Sequence, residues 1–224
     1  LDALNAMSDY WSILILSAGV SSIIIGNLIA LMQINLRRML AYSAIGHIGF
    51  VLLSFSLTTN NGVSASLTYL LLYLIMTIAA FALIESISSD DHQHIELGDL
   101  KGLSKSNPLI AFMLLFCMFS MVGIPPFIGF YAKWIVLTEL INNNSIWLAI
   151  VGIIMSVIAA YYYLRVVWFM YFENTDSPIP NNGIKNSQAI TSILISLTLL
   201  IIGLYPNPIF DYTRLIISSF ILID

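Results

Sequence analysis

Charge is what this sequence has least of. Only 9% of its 224 residues are Asp, Glu, Lys or Arg, against 59% hydrophobic, and the mean hydropathy is +0.92. A soluble domain of this length carries far more charge, so the chain reads as an all-α polytopic membrane protein. The net charge of −4 gives no sign of a nucleic-acid partner. Cysteine occurs once, as Cys117, which excludes an internal disulfide and any all-cysteine cluster within this chain. There is no glycine-rich phosphate loop, no G-x-G-x-x-G, no C-x-x-C and no H-E-x-x-H. The chain is therefore expected to hold no nucleotide, flavin, iron–sulfur cluster, haem or metal. No basic segment precedes the first apolar stretch, so no secretory signal is expected here. A first residue Leu1 in place of methionine is the expectation for a processed, divided or truncated chain.

What is present is apolar length. A crossing needs about 20 apolar residues, and six stretches qualify: 12–34, 39–57, 65–87, 109–140, 146–172 and 188–205. The fourth is too long for one straight crossing at about 1.5 Å per residue. It contains Gly123, Pro125 and Pro126, which predict two half-helices around a break. Residues 208–224 carry Asp211 and Arg214 among isoleucines and read as an interfacial segment. Arg37, Arg38, Lys101, Lys105 and Lys185 all follow odd-numbered stretches. The positive-inside rule then places those three loops on the cytoplasmic or matrix side, called inner below.

The polar residues within these stretches are the candidate functional groups. Lys133 follows the break in an otherwise apolar run. An ammonium near a bilayer centre costs about 2.5–3.5 kcal/mol even on lenient scales. Burial favours the neutral amine, as a group that loads and releases protons requires. Snorkelling to an interface is the structural alternative. Broken helices also need protein or a water-filled cavity alongside, so a proton or ion pathway is the leading reading. Glu139, about 9 Å further along a helix, is a candidate exit carboxylate or a solvated helix end.

His47 shares a helical face with Ser43 at i, i+4 and suits a relay. A buried histidine held by one hydrogen bond is the plainer reading. Tyr69, Tyr73 and Thr77 recur at four-residue intervals in the third stretch, a polar seam suited either to ordered water between protonatable groups or to interhelical hydrogen bonds, with packing the preferred reading for the tyrosines. Glu85, near its inner end, reads as an inner-surface residue or a point of proton intake. Arg165 lies among aromatics near an inner end, where snorkelling is easy. Ser17, Gly19, Ser21, Ser22 and Gly26 suit close helix packing. His92 and His94 beside Asp90, Asp91 and Glu96 read as a solvated acidic loop rather than a metal site.

Three segments carry a family resemblance: GNLIALMQINLRRMLAYSAIGHIGF at 26–50, GIPPFIGFYAKW at 123–134 and YYYLRVV at 161–167. Together with the linker ELGDLKGLSKSNP at 96–108 they resemble the antiporter-like subunits of respiratory complex I, subunit 2 (bacterial subunit N) above all. The resemblance covers essentially the whole chain. It implies one five-helix antiporter-like repeat over 12–172, plus a final helix and C-terminal segment over 188–224, in a single membrane domain. The repeat resembles the second of two inverted repeats in that family.

The resemblance further implies that Lys133 is the lysine of the broken helix and that His47 matches a histidine that is often glutamine in sister subunits. The proton path expected from it is Lys133, His47, Glu139 and Glu85. The third helix, where sister subunits carry lysine or histidine, has only Tyr69, Tyr73 and Thr77 here. The implied activity is that of a subunit of H+-translocating NADH:ubiquinone reductase, with no redox centre in this chain. Implied partners are the other membrane-arm subunits, including a polypeptide with the first repeat, and lipid. A cation/proton antiporter or membrane-bound hydrogenase subunit, or a structural piece moving no protons, are the alternatives. Asparagine-rich loops and abundant isoleucine suggest an AT-rich genome. They favour the mitochondrial inner membrane, with a bacterial plasma membrane as the alternative.

Overall fold

The computed structural model describes residues 8–87, 95–174, 194, 196–199, 201–205 and 208. Among these the order is α1 (Ser8–Met32), α2 (Leu36–Phe55), α3 (Asn60–Ile87), a 3-10 turn (Leu97–Leu100), α4 (Leu103–Ser106), α5 (Pro108–Val122), α6 (Ile128–Asn142) and α7 (Ile146–Phe172). Four of them, α1, α2, α3 and α7, are long and apolar enough to cross a membrane. The fourth expected stretch is two helices of 15 residues each, separated at 123–127. Residues 194, 196–199 and 201–204 of the sixth stretch are helical. Residues 188–193, 195 and 200 of that stretch, the 208–224 segment apart from 208, Lys185, His92 and His94 lie outside the described residues.

Cap chemistry sets the boundaries. Asn35 Oδ1 accepts from the Arg38 N–H at 3.0 Å and starts α2. Thr59 Oγ1 accepts from the Gly62 N–H at 3.0 Å and starts α3 at Asn60. That start is five residues earlier than hydropathy suggests, because Asn60, Asn61 and Gly62 form the capped first turn of a helix rather than a loop. Pro108 opens α5, where its missing N–H costs nothing.

Glycines bring α1 and α2 together. A Cβ on Gly26 would lie 2.6 Å from Gly46 N, and one on Gly49 would lie 2.8 Å from Gly19 O. The first-stretch serines divide differently from the glycines. Ser17 and Ser21 face outward, their hydroxyls donating to Leu14 O and Ser17 O. The outer face of α7 is equally apolar, with Ile150, Ile153, Val157, Leu164 and Trp168 exposed, as a helix against lipid requires.

The two described basic loops, at Arg37 and at Lys101, gather at one end. Arg37 pairs with Glu85 at 2.7 Å, and Lys101 with Glu173 at 2.7 Å. The linker is tied to the α1–α2 turn by Leu36 N–H to Ile95 O and Leu97 N–H to Ile34 O, both 3.0 Å. Arg165 does not simply snorkel: its Nη2 donates to Gln33 O at 2.6 Å, just past the end of α1.

Candidate proton-handling site

The site is built on the break between α5 and α6. A helix leaves its last four carbonyls without intrahelical partners. In α5 these belong to Phe119, Ser120, Met121 and Val122. Gly123, at φ +86°, takes the left-handed turn that L side chains disfavour. Its N–H donates to Ser120 O at 3.0 Å, and the Ile124 N–H donates to Phe119 O at 3.2 Å, which is a Schellman closure. The other two carbonyls are met by a side chain: Lys133 Nζ donates to Val122 O at 2.7 Å and to Met121 O at 3.3 Å. Lys133 thus comes from the second turn of α6 and caps α5, at the end where a helix dipole favours a cation.

The two half-helices touch closely enough for this reach. A Cβ on Gly129 would fall 1.7 Å from Ser120 O, so glycine is required where α6 crosses the end of α5. Ser120 Oγ lies 3.1 Å from Met76 Sδ on α3. Helical residue Gly203 would place a Cβ 3.1 Å from Pro126 O, so backbone from beyond α7 also covers the break. Lys133 is 7% exposed, and its Nζ lies 5.9 Å from the Phe50 ring centroid on α2, within cation–π range.

His47 is 5% exposed and held on both sides. Nδ1 lies 2.9 Å from Tyr69 Oη, Nε2 lies 3.1 Å from Tyr163 Oη, and Tyr73 stacks on the ring at 4.4 Å between centroids. In a neutral imidazole one nitrogen donates and the other accepts, so the two tyrosines play opposite roles. The third-stretch tyrosines, read from sequence as packing, are the histidine's polar surroundings. Ser43 shares the buried face with His47 but donates to Leu40 O at 2.7 Å, back into its own helix.

His47 and Lys133 border one small cavity, together with Asn27 and Ser156. Asn27 is buried on α1: its Nδ2 donates to Ile23 O at 2.7 Å, and its Oδ1 accepts from Tyr162 Oη at 2.8 Å. Asn27, Tyr162 and Tyr163 are site residues that sequence reasoning missed. The YYY run stood only as aromatics beside Arg165 near an inner end, and a lone asparagine in an apolar helix was the available signal.

The two carboxylates lie elsewhere. Glu85 is at the inner end of α3, paired with Arg37, and its side chain is 63% exposed. Glu139 is in the last turn of α6, at the opposite end, and is half-buried. Its backbone carbonyl accepts from Asn143 Nδ2 at 2.8 Å. The structure brings Lys133 and His47 together and leaves Glu85 and Glu139 at the two ends. No group of three or more His, Cys, Asp or Glu side chains is arranged to hold a metal ion among the described residues.

A membrane bundle with a broken helix, a buried lysine closing the break and a histidine beside it defines the antiporter-like class of membrane subunit. Comparison with known proteins agrees. Residues 1–159 match the family model described as the membrane domain of NADH:quinone oxidoreductase and the Mrp antiporter, and the chain belongs to that family. It is 42% identical over 207 residues to NADH-quinone oxidoreductase subunit N of Hydrogenovibrio crunogenus, covering 92% of this chain and 43% of that protein. To the Neisseria gonorrhoeae subunit N it is 38% identical over 209 residues, covering 93% and 43%. The chain therefore spans under half the length of these relatives.

Among solved structures it matches a chain of respiratory complex I from Thermus thermophilus with TM-score 0.76 and 29% identity, covering 88% of this chain and 44% of that one. A chain of the archaeal membrane-bound sulfane sulfur reductase matches with TM-score 0.84 and 27% identity, covering 94% and 42%. The chain is a membrane-embedded, antiporter-like protein similar to subunit N. The two subunit N relatives are bacterial and fit the plasma-membrane alternative of the expected membrane location.

Proposed function

We propose that this chain supplies proton-translocating machinery to the membrane arm of an NADH:quinone oxidoreductase, with Lys133 as the protonatable group. The observation that carries the reading is the placement of Lys133 Nζ, buried in the bundle and bonded to the last two carbonyls of α5. An ammonium there is held by carbonyl dipoles at the break, so its charge is coupled to the geometry of the broken helix. His47, on the same cavity, is the neighbouring relay group. Glu85 marks the inner end and Glu139 the outer end of the route. Electron transfer belongs to other subunits of the complex, and this chain holds no cofactor of its own. Its partners are the other membrane-arm subunits, including the polypeptide portion that carries the rest of the relatives' length, and lipid.

Likeness to subunit N near 40% identity favours this reading over an antiporter or hydrogenase subunit. The test is Lys133→Ala in the native assembled complex. Proton uptake by membrane vesicles should fall at least tenfold while NADH oxidation by an artificial acceptor continues, because an acceptor that bypasses quinone does not need the membrane arm. Normal pumping stoichiometry in that variant would falsify the proposal.

A further inference from the structure

His47 is bonded at both ring nitrogens, and the partners on its two sides differ in where their own hydrogens can go. Tyr69 Oη, from α3, meets Nδ1 at 2.9 Å, and Tyr163 Oη, from α7, meets Nε2 at 3.1 Å. A neutral imidazole carries its proton on one nitrogen only, and the surrounding bonds decide which. Tyr69 is 1% exposed, and His47 Nδ1 is the one hydrogen-bond partner of its hydroxyl among the described residues. Were Nδ1 protonated, the Tyr69 O–H would be a buried donor with no acceptor, which is costly.

Tyr163 is placed the other way, because its neighbours have directed their hydrogens elsewhere. Asn27 Nδ2 donates to Ile23 O at 2.7 Å, and a backbone carbonyl can only accept, so the amide orientation is fixed. Asn27 Oδ1 therefore accepts from Tyr162 Oη at 2.8 Å. With that hydrogen used, the Tyr162 oxygen can only accept from Tyr163, its side-chain partner. Ser43, the second side-chain partner of Tyr163, donates to Leu40 O at 2.7 Å and is likewise left as an acceptor. The Tyr163 hydrogen thus has two acceptors away from His47, and its lone pairs are open to Nε2–H. Gly46 makes room for the amide, since a Cβ there would lie 2.8 Å from Asn27 Nδ2.

We propose that Asn27 is the fixed end of a directed hydrogen-bond chain, Tyr69 to His47 to Tyr163 to Tyr162 to Asn27, that holds neutral His47 as its Nε2–H tautomer. Asn27 and Tyr162 are positioning residues, acting on the histidine through Tyr163. The chain crosses the bundle from α3 through α2 and α7 to α1. The basic nitrogen of His47 faces α3 and its N–H faces α7, which gives a relay through this ring a fixed sense. The amide ends the chain, because its oxygen accepts from Tyr162 and carries no proton to pass on. The assignment deepens the reading of His47 as the relay group beside Lys133 and rests on it.

The test is a tautomer measurement on the assembled complex. In solid-state NMR of complex carrying isotope-labelled histidine, the His47 signal is the one that His47→Gln removes. It should show a protonated Nε2 and an unprotonated Nδ1. A ring protonated at Nδ1, alone or together with Nε2, would overturn the proposal. Asn27→Leu is close in volume and removes the acceptor at the end of the chain. The Tyr162 hydrogen then turns toward Tyr163 and competes with Nε2–H. The Nδ1–H form should appear, and pumping per electron should fall about two- to tenfold, the weight of one hydrogen bond. An unchanged tautomer ratio in Asn27→Leu would overturn the role of Asn27, whatever happens to stability. Where that variant does not assemble, Tyr162→Phe cuts the same chain and is read the same way; where neither assembles, the wild-type tautomer decides. Normal pumping in His47→Gln would instead defeat the relay reading, which the wild-type spectrum does not measure.

Discussion

Lys133 completes a helix to which it does not belong. Its Nζ lies 2.7 Å from the carbonyl oxygen of Val122, eleven residues earlier and on the far side of the break. With the Schellman closure at Gly123, this bond and the one to Met121 satisfy all four terminal carbonyls of α5. In lipid, with no water to meet those groups, the break persists only because each has a partner. The residue read as the proton carrier therefore also stabilises the local geometry, and a change in its charge acts directly on the junction of the two half-helices.

Gly129→Ala should be among the most damaging single-methyl changes in the chain. The new Cβ would sit 1.7 Å from Ser120 O, a backbone atom that has no rotamer to yield. Overpacking typically costs about 1–3 kcal/mol, and a clash with backbone belongs at the upper end. Thermal stability and the amount of assembled complex should both fall. An unchanged melting temperature would contradict the crossing described here.

Gly123→Ala strains the other side of the same junction. An L residue held at φ +86° costs about 1–2 kcal/mol, and its Cβ would press on Lys133 Cδ at 3.1 Å. The expected outcome is reduced stability together with reduced pumping, since the methyl displaces the side chain that caps α5. Pumping per electron, measured beside the melting temperature, separates the two effects.

Tyr163→Phe and Tyr69→Phe each remove one hydroxyl from His47 and leave a buried ring nitrogen without a partner. Each should destabilise the protein by about 1–3 kcal/mol. Paired with His47→Phe in double-mutant cycles, both should show coupling, because the loss depends on the histidine being there. Purely additive effects would mean that the two bonds are not formed in the membrane.

Glu85→Gln should change little. The Arg37–Glu85 pair is solvent-facing, with side chains 34% and 63% exposed, and such pairs contribute about 0–1 kcal/mol. Water can replace an exposed carboxylate at the inner end of a route, so pumping should slow by less than about twofold. A loss as large as that of Lys133→Ala would place Glu85 within the route rather than at its mouth.

The sequence was most legible where chemistry is local. Apolar length located the crossings, Gly123 with Pro125 and Pro126 located the break, and a lysine in an apolar run located the side chain that caps it. Element ends were less legible: α3 begins at Asn60 because Thr59 caps it, and hydropathy does not register a cap. The hydrogen-bond partners were hardest to see. Tyr163 meets His47 across 116 residues, and Tyr162 meets Asn27 across 135. No periodicity within one helix encodes either meeting.

By itself, then, the sequence determined that this is an all-helical membrane protein with a broken helix and a buried cation. It did so because hydrocarbon penalises charge and unpaired backbone wherever they occur along a chain. Only the tertiary structure decided which carbonyls Lys133 caps, that two tyrosines hold His47, and that Glu85 and Glu139 stand apart at the two ends. Those outcomes depend on how closely glycines let helices approach, and that distance is a property of two helices together.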